Sequence, residues 1–235
     1  MGSTRLPGKV LLKLGGQAVI DHVIDRAVAA RGIDDVVLAT TTGAIDDPLV
    51  EHVSRRSISI HRGSDSDVLS RFEGAARQAE AECVVRLTAD DPVKDPDVID
   101  EVITAFHMAD PPVDYASNTL SPTWPEGQDT EVMSSDALYK AAAAAADAYE
   151  REHVTPFIYR HRELFRCFNV ERKPDLSRIR LTLDTPDDYL FFEKIFQALD
   201  TNGQMMRLPH ILELLKEKPD IAAINAAVER SDAYK

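Results

Sequence analysis

The 235-residue sequence contains little cysteine, little positive charge and no long apolar run. Its two cysteines, Cys83 and Cys167, lie in apolar, strand-like stretches and lack Cys-x-x-Cys spacing. We therefore expect two buried free thiols in a reducing compartment rather than a disulfide framework. The sequence shows neither a stretch of membrane-spanning length nor a secretory apolar segment at its amino terminus, so the expected location is the cytoplasm.

The shortage of positive charge limits the classes of ligand. Lys and Arg number 27 against 40 Asp and Glu, which gives a formal net charge of −13. Nucleic acids and anionic membranes bind basic surfaces, so neither is expected as a partner. Any polyanionic ligand must be met by a local group of cations or by a divalent metal. The length and the 44% hydrophobic content are typical of one globular domain, here residues 1–235.

The first half of the chain alternates short apolar strands with amphipathic helices. Strands are predicted at 36–40, 57–60 and 83–87, and helices at 17–30, 46–55, 68–79 and 97–109. This alternation predicts right-handed crossovers and a parallel sheet. Asp65 or Ser66 is expected to cap the third helix, and Asp95 with Pro96 to begin the fourth.

The pattern changes after residue 110. Strands are predicted at 114–118, 128–132, 165–170 and 179–183, and one helix is predicted over 134–149. Thr185 and Asp188 have capping-box spacing at the start of a further helix. Two short helices near 208–217 and 219–229 complete the expected elements.

The segment 2–9, GSTRLPGK, combines two glycines and a proline with two hydroxyls and two cations. A loop of this composition can hold phosphate through backbone N–H groups and basic side chains. It is not a Walker A loop, because no GKS or GKT tripeptide ends it. Spacing alone somewhat favours the alternative interpretation, a Gly/Pro-rich turn with two solvated cations.

Asp90 and Asp184 are the candidate pair for chemistry. Each follows the carboxyl end of a predicted apolar strand, and in open α/β sheets that edge forms the ligand crevice. Two carboxylates beside a phosphate-type loop suit a Mg²⁺ ion that bridges protein and nucleotide phosphates. Capping fully accounts for Asp95, Thr185 and Asp188, which receive no catalytic role.

Motifs with a common order extend over roughly the first 195 residues. They are 1–9, 36–42, 62–72, 86–96, 115–119, 127–132, 151–156 and 183–187. Together they resemble the CMP-sugar synthetases, the cytidylyltransferases that activate 3-deoxy-ulosonic acids, and most of all their spore-coat polysaccharide branch.

The resemblance implies a three-layer α/β/α nucleotide-diphospho-sugar transferase fold with a mainly parallel sheet. It also implies a projecting arm, about residues 115–175, that helps to form a homodimer. The implied reaction joins CTP and a sugar acid to give a CMP-sugar and pyrophosphate, with Mg²⁺ as cofactor, for surface polysaccharide or glycan biosynthesis.

The resemblance also implies a role for each matching residue. Around the nucleotide, Gly2, Ser3 and Thr4 would hold the triphosphate, Arg5 and Lys9 would neutralise it, and Gly63, Ser64 and Arg71 would lie beside the base. The metal ligands would be Asp90 and Asp184. The residues that would face the sugar are Gln128, Asp129, Glu131 and His153.

Three departures from the family pattern matter. The family has an apolar strand before the loop, whereas this sequence begins inside the motif, so we expect an unpaired cleft in the sheet. We also expect low stability or activity unless about ten upstream residues are restored.

Ala89 and Asp91 stand where the branch carries Gly and Cys, which puts the efficiency of metal binding in doubt. Gln128 and Thr130 differ from the usual apolar neighbours of Asp129, which leaves the sugar undetermined.

Two other functions stay open at this point. One is a nucleotidyltransferase that uses another nucleoside triphosphate or a phosphosugar. The other is a catalytically inactive, nucleotide-binding paralogue that acts as a dimeric binding module.

Overall fold

The computed structural model describes residues 1–199 and 204–230. The strands of this part of the chain are β1 (Lys13–Leu14), β2 (Gln17–Ala18), β3 (Val37–Thr41), β4 (Ser59–Gly63), β5 (Cys83–Arg86), β6 (Tyr115–Ser117), β7 (Glu131–Ser134) and β8 (Cys167–Asn169). The helices are α1 (Val19–Ala29), α2 (Asp47–Val53), α3 (Val68–Gln78), α4 (Pro96–Met108), α5 (Ser135–Ala144), α6 (Ala148–His153), α7 (Pro156–Arg160), α8 (Pro186–Ala198), α9 (Leu208–Glu217) and α10 (Pro219–Ala223).

The strands form two main groups. β3 and β4 are a parallel pair, while β5, β7, β6 and β8 lie side by side in that order. β7 is antiparallel to both of its neighbours, and β6 is parallel to β8. Among the described residues, β3 pairs only with β4 and β5 only with β7. The predicted cleft in the sheet is therefore present, between β3 and β5.

Helices cover both faces of the four-stranded sheet. Tyr115 and Met133 pack with residues of α3 and α5, whereas Ala116 and Val132 pack with residues of α4. Because successive side chains of a strand point to opposite faces, these neighbours lie on opposite sides of the sheet. The predicted three-layer α/β/α arrangement is confirmed.

The predicted helix over 134–149 was wrong in its extent, because the structure divides it into α5 and α6. Ala145 has an extended conformation that ends α5. Asp147 then caps α6, its Oδ1 accepting the N–H of Tyr149 at 2.9 Å. An aspartate is a strong N-cap, so it begins a new helix in a sequence whose alanines favour continuation.

Other local predictions were corrected or confirmed by hydrogen bonding. The strand predicted at 179–183 was wrong in its extent, because the ladder pairing there is a single bridge between Arg180 and Glu126. The cap of α3 is Asp67, not Asp65 or Ser66, since the Asp67 carboxylate accepts the Ser70 N–H. The caps predicted for α4 and α8 are confirmed.

Both cysteines are free, as predicted, but neither is fully buried. Cys83 and Cys167 are each half-buried, on strands β5 and β8. A central strand of a parallel sheet is normally covered on both sides, so the exposure of Cys83 reflects the cleft beside β5. No helix within residues 1–199 and 204–230 is long and apolar enough to span a membrane.

Candidate active site

The segment 2–9 folds back on itself at the carboxyl ends of the strands. The Gly8 N–H donates to the Met1 carbonyl at 3.2 Å, and the Leu6 N–H donates to the Ser3 hydroxyl at 3.2 Å. Gly8 has a φ of +68°, a left-handed conformation that favours glycine. Gly2 has no positive φ and open space around it, so the fold itself does not require glycine there.

Lys9 joins the two candidate aspartates. Its Nζ donates to Asp90 Oδ2 at 2.6 Å and to Asp184 Oδ1 at 2.7 Å. Arg5 approaches Asp184 Oδ2 at 3.3 Å, with about half of its own side chain exposed to solvent. The structure therefore brings four predicted residues together at one point, although they come from three distant parts of the sequence.

The two aspartates are positioned by their neighbouring backbone. The Leu183 N–H donates to the Asp90 carbonyl at 2.9 Å, which fastens the two chain segments side by side. The Asp184 N–H donates to Asp188 Oδ2 at 3.0 Å, so the capping carboxylate of α8 also fixes the site. Asp188 thus has a capping role, as predicted, and a positioning role in addition.

Lys9 and Asp184 each stabilise the charged form of the other. Burial lowers the pKa of Lys9, but the carboxylates of Asp90 and Asp184 outweigh it and raise the pKa above its ordinary value. Burial raises the pKa of Asp184, but Lys9, Arg180 and Arg5 outweigh it and hold that pKa below its usual range. Lys9 is therefore an ammonium and Asp184 a carboxylate at neutral pH.

Arg180 is a supporting residue that sequence reasoning missed. Its buried guanidinium donates to Glu126 Oε1 at 2.8 Å, to Asp184 Oδ2 at 2.8 Å and to Asp188 Oδ1 at 2.9 Å. The planar guanidinium fits several carboxylates at once. The available signal was a cation between Ile179 and Leu181 in an otherwise apolar stretch, since a buried charge there requires partners.

Asp91 does not join Asp90 at the site. It is buried, accepts the Thr88 hydroxyl at 2.7 Å and pairs with the buried Lys94 Nζ at 3.1 Å. Burial raises the pKa of Asp91, and the nearby carboxylates of Asp90 and Asp129 act in the same direction. Asp91 Oδ2 is therefore used in contacts inside the protein, and the effect of Asp91 on metal binding stays a prediction.

Lys94 extends this interior contact to the loop on the predicted sugar side, because its Nζ also donates to the carbonyl of Asp129. Gln128 is fully buried, its Oε1 accepting the Asp95 N–H at 2.8 Å and its Nε2 donating to the Val93 carbonyl at 3.1 Å.

Glu131 is also buried and accepts hydrogen bonds from Tyr115, Thr155 and Arg86. The Gln128 side chain thus bonds to backbone groups, whereas Glu131 bonds to three other side chains. Asp129 is half-buried, and the half-buried His153 stacks on Tyr149 with ring centroids 4.3 Å apart. Contact of these four residues with a sugar stays a prediction.

The three residues predicted beside the base lie together. Arg71 Nη1 donates to the Ser64 carbonyl at 2.8 Å. A Cβ on Gly63 would lie 2.6 Å from Arg71 Cγ, so only glycine leaves room for this side chain. Their contact with a nucleobase stays a prediction.

The carboxylate oxygens of Asp90 and Asp184 are suitable ligands for a Mg²⁺ ion. Asp90 and Asp184 supply carboxylate oxygens that already share one cation, and Mg²⁺ is commonly held by one or two carboxylates plus phosphates. Across the described residues there is no group of three or more His, Cys, Asp or Glu side chains that could hold a metal. The remaining ligands would therefore come from substrate and water.

An α/β fold with a cation-bearing glycine loop and two carboxylates at strand ends is typical of enzymes that bind nucleotide phosphates. The sequence profile described as "Cytidylyltransferase" matches residues 1–216. The chain belongs to the cytidylyltransferase family, and it is a nucleotidyltransferase.

Individual relatives agree with this assignment. The spore coat polysaccharide biosynthesis protein SpsF of Bacillus subtilis is 32% identical over 94% of this chain and 93% of its own length. A 3-deoxy-manno-octulosonate cytidylyltransferase of Thioalkalivibrio sulfidiphilus is 38% identical over 44% of this chain and 42% of its own length. A solved cytidylyltransferase from Leptospira borgpetersenii superposes with a TM-score of 0.88 at 30% identity, covering 94% of this chain and 92% of that one.

Proposed function

We propose that the protein transfers the cytidylyl group of CTP to a 3-deoxy-ulosonic acid, with release of pyrophosphate. A hydroxyl oxygen of the sugar acid attacks the α-phosphorus, the bond to the bridging oxygen breaks, and the hydroxyl proton leaves to solvent or to a base. No protein nucleophile is needed. Positioning and charge neutralisation carry most of the barrier reduction.

The observation that carries the proposal is the meeting of Lys9 with Asp90 and Asp184 in front of the loop. Asp90 and Asp184 would hold Mg²⁺, which supplies charge stabilisation of the phosphate oxygens when it is bound. Arg5 is half-exposed and close enough to the carboxylates to reach an incoming triphosphate. Lys9 would then exchange its carboxylate partners for phosphate oxygens, which are anionic acceptors of the same kind.

Residues around this point would contact the triphosphate, the base and the sugar. Backbone N–H groups of Gly2, Ser3 and Thr4 would contact the triphosphate, and the cluster of Gly63, Ser64 and Arg71 would lie against the base. The half-buried Asp129 and His153 are the more accessible of the four sugar-side candidates. The named relatives support a sugar acid as acceptor and a role in surface polysaccharide or glycan biosynthesis. We further propose a cytoplasmic homodimer.

The test is pyrophosphate release measured with each nucleoside triphosphate against a panel of 3-deoxy-ulosonic acids, with and without Mg²⁺. Release only with CTP, a sugar acid and Mg²⁺ is expected. Release with another triphosphate or a phosphosugar would contradict the proposed substrates. Nucleotide binding without turnover would instead favour a binding module.

Matched variants make the assay specific to the site. Asp184→Asn and Asp90→Asn are each expected to lower the rate by about 100-fold or more, since each removes a charge at the reacting phosphates. Asp187→Asn removes the same charge from an exposed position three residues away and is expected to keep the rate. Equal losses in all three variants would show a general effect of charge and contradict the assigned roles.

A further inference from the structure

Asp129 is the one partly exposed residue in a buried stretch of the chain. Within 124–133, a range that the structure describes in full, every other residue is buried. The residues on either side of it, Gln128 and Thr130, are fully buried. The position of the Asp129 carboxylate therefore depends on the contacts that hold the backbone of this stretch.

Asn118 and Gln128 hold the backbone on both sides of Asp129. The Asn118 Nδ2 donates to the Gln128 carbonyl at 2.8 Å, and its Oδ1 accepts the Thr130 N–H at 2.9 Å. The Gln128 side chain bonds to the backbone of 93–95, in front of α4. These bonds fix the residue before Asp129 and the residue after it, and they leave the Asp129 carbonyl for a further donor.

Lys94 is that donor. Its Nζ donates to the Asp129 carbonyl and lies 3.1 Å from Asp91 Oδ2. The side chains of Lys94 and Asp91 are at most 2% exposed. The Lys94 backbone is held separately, because Arg26 Nη1 donates to its carbonyl at 3.1 Å. Since Asp91 directly follows Asp90, Lys94 connects the segment of a proposed metal ligand with the sugar-side residue.

Stability alone does not account for a buried lysine at this position. Removing an ammonium and a carboxylate from water has a desolvation cost that their attraction only partly offsets. Apolar side chains of similar volume commonly stabilise a fold as well as such a pair or better. An apolar pair could not, however, supply the hydrogen bond to the Asp129 carbonyl. The distinctive contribution of Lys94 is therefore the position of Asp129.

We propose that Lys94 is a positioning residue, which sets the distance between Asp90 and Asp129, with Asp91 as its counter-ion. The inference rests on the proposed function, in which Asp129 faces the acceptor. A carboxylate accepts hydrogen bonds, so Asp129 would bind hydroxyl groups of the sugar acid. Attack on the α-phosphorus requires the reacting atoms within about 3.5 Å, and a displacement of about 1 Å can lower a rate by about 100-fold.

Two double variants separate position from stability. The apolar pair, Asp91→Leu with Lys94→Met, leaves no donor for the Asp129 carbonyl and no unpaired charge. We expect kcat/KM for the sugar acid to fall by about tenfold or more in this variant, with unchanged KM for CTP, Mg²⁺ dependence and melting temperature. The neutral polar pair, Asp91→Asn with Lys94→Gln, keeps an amide N–H for that carbonyl. Its kcat/KM should lie within about threefold of the wild-type value.

A control and a measurement without substrate complete the test. Glu51→Leu with Arg55→Met removes an exposed ion pair of α2 and should leave all of these quantities unchanged. Hydrogen exchange at the Thr130 N–H, which is bonded to Asn118, reports on the backbone beside Asp129. This exchange should be about tenfold faster in the apolar pair than in the wild-type protein.

Four results would overturn the role of Lys94. They are an unchanged kcat/KM for the acceptor in the apolar pair, unaltered exchange at Thr130, equal losses of kcat/KM in the apolar and polar pairs, and a melting temperature lowered by about 5 °C or more in the apolar pair. The last result would show that the ion pair serves stability. A wild-type protein that releases no pyrophosphate with any sugar acid would contradict the proposed function instead, and exchange at Thr130 would then decide the role of Lys94.

Discussion

Lys9 lies between Asp90 and Asp184, where a divalent cation would bind the same two carboxylates. Its pKa is raised by those carboxylates despite burial, so it stays charged at neutral pH and competes with a metal ion. Nucleotide phosphates offer Lys9 other anionic partners. We therefore expect metal and nucleotide to bind with positive coupling at this point.

Replacing Lys9 separates these contributions. Lys9→Met is expected to tighten Mn²⁺ binding in the absence of nucleotide by about tenfold or more, because the competing ammonium is gone. The same change should lower pyrophosphate release by about 100-fold, because a cation at the phosphates is lost. Calorimetric titration with Mn²⁺ and the release assay measure the two effects, and the exposed Lys13→Met is the control. Unchanged Mn²⁺ affinity in Lys9→Met would contradict the competition.

Asp46 is not one of the proposed metal ligands, and its ionisation makes the stability of the fold depend on pH. Its Oδ2 accepts the hydroxyls of Thr40 and Thr41, each at 2.7 Å, in a buried position. Burial raises the pKa of Asp46, but the bonds from Thr41 and Thr40 outweigh it and lower the pKa from 3.8 to about 2. The unfolded state therefore binds more protons between these values. The contribution of Asp46 is present above about pH 4 and is lost as the pH falls through about 2.

This shift corresponds to about 2 kcal/mol of stability at pH 7. We expect Asp46→Asn to lower the free energy of unfolding by about that amount and to flatten its dependence on pH between 4 and 2. Urea unfolding at a series of pH values measures both, and the exposed Asp34→Asn is the control. An unaltered acid limb in Asp46→Asn would contradict the assignment.

At the scale of elements, the contact between the loop at 126–130 and the run 179–183 positions Asp184. The Glu126 N–H donates to the Ile179 carbonyl at 3.0 Å, and the Leu181 N–H donates to the Glu126 carbonyl at 2.7 Å. Gly127 has a φ of +92°, and a Cβ there would lie 2.2 Å from the Leu181 carbonyl oxygen. The close approach of the two backbones therefore requires glycine.

Gly127 and Gly16 form a matched pair that separates crowding from strain. Gly16 has a φ of +89°, and a Cβ at this residue would have no other atom within 4 Å. Gly16→Ala is expected to cost about 1 kcal/mol, whereas Gly127→Ala should cost about 3 kcal/mol or more and also slow turnover. Denaturant unfolding and the release assay measure these changes. Similar costs at both glycines would show that the contact with Leu181 is unimportant.

At the scale of the whole molecule, β8 forms one edge of the four-stranded sheet and lies within the proposed arm at 115–175. Phe168 of β8 is 46% exposed, and the nearby Leu164 is 60% exposed. An edge strand with exposed large apolar side chains favours contact with another chain. This observation supports the proposed homodimer.

The dimer can be tested by charge substitution. Wild-type protein is expected at twice the monomer mass in light scattering, and Phe168→Glu should shift it to monomer at micromolar concentration. Val28→Glu places the same charge at a residue of α1 that is 59% exposed, outside the arm, and should leave the mass unchanged. A monomeric wild-type protein would refute the dimer.

The sequence by itself determined the local features of this protein. Strand and helix patterns, the caps at Asp95 and Thr185, and the position of Asp90 and Asp184 after apolar runs depend on neighbouring residues, so they can be read directly. The order of the motifs was enough to indicate the family. The cleft between β3 and β5 was also expected from the family pattern.

Only the tertiary structure decided which of these residues meet. Lys9 and Asp184 are 175 positions apart, and their contact at 2.7 Å depends on how distant segments pack. Arg180 as a shared partner of three carboxylates and the burial of Gln128 depend on the same packing. Local propensity acts over a few residues, whereas burial and ion pairing act through space. Burial and ion pairing between distant residues are therefore defined only once the chain has folded.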